Sequence, residues 1–185
     1  MSIFSIMFMY INLGLEHIIT GYDHLLFLLA LIIISKKFTD VLKIITAFTI
    51  AHSITLTLAA LELIPVFPKW IEAGIALTIA YVAMENFFVK TSKWRWALTF
   101  AFGLIHGLGF ATAISEIGFD QTYTALSLLS FNVGIEVGQL LVVALVLPFL
   151  LKLQSNEKYY RPFFYSTSAC IFAVATIWFF QRLFV

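Results

Sequence analysis

The chain is 185 residues long, 62% hydrophobic, 17% aromatic and only 11% charged, with a mean hydropathy of +1.00. Soluble domains are roughly 45–50% apolar and about 25% charged, so this composition excludes a water-soluble globule. It equally excludes disorder, which needs low hydrophobicity and high net charge. A formal net charge of +1 offers nothing to nucleic acid, and the single Cys170 excludes an internal disulfide or a thiolate cluster.

Read from the start, residues 1–13 are apolar but lack a basic opening and a small-residue cleavage site, so they do not read as a secretory signal. Asn12, Glu16 and His17 follow closely, and residues 1–21 are therefore expected to lie at the membrane interface or to insert only partly. Beyond them the apolar runs are long enough to cross a hydrocarbon core about 30 Å thick as helices. Polar or Pro-bearing breaks fall at Ser35–Asp40, Glu62–Lys69, Val89–Trp94, Glu116–Thr122 and Lys152–Pro162. They delimit six predicted spans: 22–35, 41–61, 69–88, 95–115, 123–151 and 162–184. The expected fold is an all-α, polytopic integral membrane protein, with 22–185 as a six-helix transmembrane domain surrounded by lipid.

Basic residues set the expected orientation. Lys36, Lys37, Lys43, Lys90, Lys93, Arg95, Lys152, Lys158 and Arg161 flank the odd-numbered loops, against only Lys69 and Arg182 on the other side. That bias puts both termini outside and the odd loops in the cytoplasm. Trp70, Trp94, Trp96 and Trp178 lie near span ends, as interfacial anchors do.

An ionisable group in hydrocarbon costs at least ~2.5–3.5 kcal/mol, which makes such residues functional candidates by default. All four histidines, His17, His24, His52 and His106, lie in or at the mouth of predicted spans, as do Asp23, Glu72, Glu85 and Glu136. No Lys or Arg lies well inside a predicted span, so these carboxylates are expected to lack a basic partner. In the expected orientation Asp23 and His24 open the first span at the outer surface, with His17 just before them. His52 and His106 each fall about nine residues from an outer end, roughly 13–14 Å deep.

Asn132, Glu136 and Gln139 recur at helical spacing on one face of span five, and Thr49, His52 and Ser53 share a polar edge of span two. Gly103-x-x-x-Gly107 and Gly134-x-x-x-Gly138 are spacings that let transmembrane helices approach closely. They are expected to bring His106 towards Glu136. Glu85, near the cytoplasmic end of span three, reads as an interfacial cap.

Imidazole and carboxylate without thiolate suit Ni, Zn, Fe or Mn better than Cu(I). The expected metal set is His17, Asp23, His24, His52, His106 and Glu136, supported by Ser53, Glu72, Asn132 and Gln139, with the outer side as the way in. The bland alternative is a membrane scaffold whose histidines only hydrogen-bond between helices.

The segment His17-Ile-Ile-Thr-Gly-Tyr-Asp23-His24-Leu-Leu-Phe resembles the His-x5-Asp-His signature of the HupE/UreJ family. Ala51-His52-Ser53-Ile-Thr-Leu, Phe102-Gly-Leu-Ile-His106-Gly-Leu-Gly-Phe-Ala and Phe131-Asn132-Val-Gly-Ile-Glu136-Val-Gly-Gln139 are similar to its HupE/UreJ-like branch. Ile18 stands where nickel-permease members carry Pro. The resemblance implies a bacterial inner-membrane protein associated with nickel uptake. On this reading the chain is a divalent transition-metal permease for a nickel- or zinc-type ion, or, as the alternative, a membrane-embedded zinc-type hydrolase with three protein ligands and a water.

Overall fold

A computed structural model describes residues 2–89, 94–111 and 123–184. Regular structure among the described residues is entirely helical. The elements are α1 (Ile3–Thr20), α2 (Tyr22–Ile32), α3 (Phe38–Ala60), α4 (Pro68–Glu85), α5 (Arg95–Gly109), α6 (Thr124–Gln154) and α7 (Glu157–Phe184). By length and apolarity alone, α1, α3, α6 and α7 could each cross a membrane. Their outward faces carry Leu129, Leu145, Phe149, Ile177 and Phe180 exposed, as a lipid solvent permits. The predicted Glu116–Thr122 break, most of the Val89–Trp94 break and the last residues of the predicted fourth span lie outside the described residues.

Residues 3–20 form an unbroken helix that packs along α6. A Cβ on Gly14 would collide with Phe131 O, and one on Gly134 with Ile11 O; Ile18 meets Gly138. The glycines of the second Gly-x-x-x-Gly pattern therefore admit α1, not α5. Ile6 and Tyr10 share a buried cluster with Leu128 and Phe131. Further along, Leu28 and Ile32 of α2 share one with Val143 and Leu147. So α1 and then α2 follow α6 in the same direction, like two halves of one interrupted helix.

The interruption is Gly21, whose φ of −78° and ψ of 91° leave the helical region. Its N–H still closes the last turn of α1 on His17 O, and its carbonyl opens α2 by accepting from Leu25 N. Asp23 sits in the first turn of α2, where the helix dipole favours an anion.

The first Gly-x-x-x-Gly pattern seats α5 on α3. Gly103 faces Phe48 and Ala51, and Gly107 faces His52 and Thr55, so these two helices also run in the same direction. At the other seam α7 lies antiparallel to α4, with Asn86 against Ser168 and Arg182 against Glu72.

The predicted Lys152–Pro162 break shrinks to Ser155 and Asn156. Asn156 caps α7 through Lys158 N and its carbonyl takes Tyr159 N and Tyr160 N, so α7 starts at Glu157 with Pro162 inside it. As the sixth residue of α7, Pro162 forfeits only the one backbone bond its missing N–H would have made to Lys158 O, and the helix continues through it.

Candidate metal centre

Three histidines from three helices meet around the Gly21 break. His17 of α1, His24 of α2 and His52 of α3 each offer a ring nitrogen within 4.8 Å of the other two. Their ring centroids are 4.6 Å apart for His17–His24, 6.2 Å for His17–His52 and 6.1 Å for His24–His52. Gly21 makes this possible: a Cβ there would collide with His17 O and fall 3.2 Å from His24 Nδ1.

The surroundings are apolar. Phe110 lies 4.2 Å and Phe131 5.6 Å from the His17 ring. Phe48 lies 5.8 Å from both the His24 and the His52 rings. His52 is fully buried and His24 nearly so. Yet His17 Nε2, His24 Nε2 and both nitrogens of His52 are buried with no well-formed hydrogen bond, the amide of Asn132 being the polar side chain that adjoins His52. A buried polar atom without a partner costs about 1–3 kcal/mol, and several converging in one compartment call for a shared partner. Imidazole nitrogens that converge in this way suit a borderline transition-metal ion such as Zn or Ni, so the residues fit a metal.

His106 adjoins the group. Its ring centroid is 5.2 Å from that of His24 and 5.3 Å from Phe48, and its Nε2 is 2.9 Å from Thr78 Oγ1. It is not among the three whose nitrogens converge within 4.8 Å.

The carboxylates lie elsewhere. Asp23 accepts two 3.0 Å hydrogen bonds from Arg182 Nη2, one on each oxygen, and Arg182 also donates to Glu72 O and stacks on Trp178. Glu72 itself lines a cavity of about 510 Å³ with Lys69, Gln181 and Arg182. Glu136 accepts from Thr46 at 3.0 Å, on the seam between α3 and α6, and is not brought to His106. Gln139 accepts from Thr49, Ser53 donates to Thr49 O, and Asn132 donates to Leu128 O.

The expectation that the carboxylates lack basic partners is overturned twice. Arg182 is near the end of α7 but reaches Asp23 through its long side chain. Arg95 starts α5 and is only 2% exposed. It pairs with Glu85 at 3.0 Å, donates to Asn86 Oδ1 at 2.5 Å and to Ala30 O and Leu31 O at 3.1 Å. Glu85 is thus one arm of a buried cluster that caps the last carbonyls of α2, where a cation suits the dipole. The ten-residue spacing of Glu85 and Arg95 across one loop was the available signal.

Comparisons with curated proteins and with solved structures yield no match. Comparison with protein families yields one, described as HupE / UreJ protein, over residues 2–182. With nearly its whole length inside that match, this histidine-bearing membrane protein belongs to the HupE/UreJ family.

Proposed function

We propose that the protein is a permease for a divalent transition-metal cation of nickel or zinc type, sited in a bacterial inner membrane. The observation that carries this reading is the convergence of His17, His24 and His52, from three helices, with buried nitrogens that have no well-formed hydrogen bond. The cation is the cargo and those nitrogens are its holding site, with His106 next to them. The chain crosses six times with both termini outside; α1 and α2 together make the first crossing, broken at Gly21. The break puts the first two ligands on either side of a chain interruption, and discontinuous helices of this kind form the substrate and ion sites of many transporters.

Asp23 lies beside His24 at the start of α2, and its pairing with Arg182 makes it a guarded rather than a free entry carboxylate. Glu136 with Thr46, and Gln139 with Thr49, continue polar side chains along α3 away from His52. They are the groups available to a cation leaving towards the cytoplasm.

The test is binding and flux on one preparation. Protein purified after metal-replete growth is analysed for bound metal, titrated with Ni²⁺ and Co²⁺, and reconstituted in liposomes for uptake. About one ion per chain and saturable uptake, both lost in His24→Ala and His52→Ala, are expected. No binding overturns the metal reading; binding without uptake overturns transport and redirects the site to metal-dependent hydrolysis.

A further inference from the structure

Thr78 lies in α4, buried, and is bound to two things at once. Its hydroxyl donates to Ile75 O at 2.7 Å, the back-bond typical of Thr within a helix, and its oxygen lies 2.9 Å from His106 Nε2. A hydroxyl has one hydrogen. With that hydrogen spent on the Ile75 carbonyl, the Thr78 oxygen can only accept, so Nε2 of His106 must carry the ring proton. In a neutral imidazole the other nitrogen is then a bare lone pair. That nitrogen, Nδ1, is buried and has no partner. The rings around His106 are Phe27 at 4.7 Å, Phe48 at 5.3 Å and His24 at 5.2 Å. Of these only His24 is polar, and its Nε2 is also partnerless.

We propose that Thr78 is a positioning residue that locks His106 as the Nε2–H tautomer, presenting Nδ1 beside His24 as a fourth imidazole ligand for a cation held by His17, His24 and His52. The second half rests on the metal-site reading above; the tautomer lock does not. The chemistry is that of outer-shell control: a ligand histidine donates its other N–H to a fixed acceptor, which sets tautomer and ring orientation. Here the acceptor is itself tied to the backbone, so it cannot rotate to donate without giving up Ile75 O.

The experiment uses full-length protein in micelles with ¹⁵N-labelled histidine, the His106 signals being assigned by difference with His106→Gln. Metal-free wild type should show His106 with Nε2 protonated, in up to about tenfold excess over the other tautomer. Thr78→Ser should keep that pattern, and Thr78→Val should lose it. On the same variants, Co²⁺ titration read from d–d absorption should show affinity down about 10- to 100-fold for Thr78→Val, with Thr78→Ser close to wild type. An Nδ1–H tautomer in wild type, or no change in Thr78→Val, overturns the lock. A lost tautomer preference with unchanged Co²⁺ affinity overturns the role of His106 as a fourth ligand. Wild type that binds no Co²⁺ overturns the metal reading and the fourth-ligand half with it, while the metal-free spectra still decide the lock.

Discussion

Adding one methyl group at Gly103 tests whether the seam between α3 and α5 sets the candidate metal centre. A Cβ at this position would fall 2.8 Å from Phe48 O, 2.9 Å from the Ala51 Cβ and 3.2 Å from the Phe48 Cα. None of these atoms is the end of a flexible side chain, so the methyl cannot be accommodated by a rotamer change. Ordinary contact begins at 3.4 Å, and in a close-packed interior the helices must therefore part by about 0.5 Å.

Such overpacking costs about 1–3 kcal/mol. The displacement also equals the roughly 0.5 Å tolerance within which a binding constellation must be held. His52 follows Ala51 directly, His106 lies one turn beyond Gly103, and Phe48 packs on both rings. Gly103→Ala is thus expected to lose about 1–3 kcal/mol in denaturant unfolding of the micellar protein and at least about tenfold in Co²⁺ affinity. Gly74→Ala is the control, because its Cβ would meet only Ile105 Cγ2, at 3.4 Å. It should keep both stability and affinity. If Gly103→Ala behaves like Gly74→Ala in both assays, the close approach of α3 and α5 does not govern the site.

The break at Gly21 makes a more local demand. Gly21→Ala would press on His17 O and His24 Nδ1, and should cut Co²⁺ affinity at least about tenfold, as expected for disturbed ligand support. Affinity unchanged by this variant would mean that the interruption does not hold the two histidines. At the opposite end of α2, Arg95→Met should cost about 3–5 kcal/mol, since it strips the partner from Glu85 and uncaps Ala30 and Leu31 carbonyls inside the protein. Adding Glu85→Gln should restore part of that loss in the same unfolding measurement, and a single variant as stable as wild type would show the cluster to be dispensable.

Membrane residence, helical class and the candidate residues His17, His24 and His52 were all legible in the chain itself. Each follows from what hydrocarbon demands of a sequence: long apolar runs, internally satisfied backbone, and a penalty that makes every embedded polar residue conspicuous. Which polar residues would meet was a different matter. The two Gly-x-x-x-Gly patterns state that a helix comes close at Gly103–Gly107 and at Gly134–Gly138, but not which helix. The partners are α3 and α1, so Glu136 faces Thr46 rather than His106. Nor can spacing show how far a long side chain reaches. Arg182 and Arg95 sit at helix ends, yet their guanidinium groups find Asp23 and Glu85.

Residues 1–21 make the same point from the other direction. Asn12 and Glu16 interrupt the apolar run and lie on the exposed face of α1, yet the helix forms because Ile6, Tyr10, Gly14 and Ile18 on its other face are buried. Composition therefore determined the solvent, and with it the helical class and the short roster of residues able to bind a cation. Tertiary structure alone decided that three of the four histidines converge within 4.8 Å while Asp23 and Glu85 are held by arginines and Glu136 by a threonine. Burial penalties act on each residue singly and so can be read along the chain, whereas ligand geometry depends on which helix surfaces fit together.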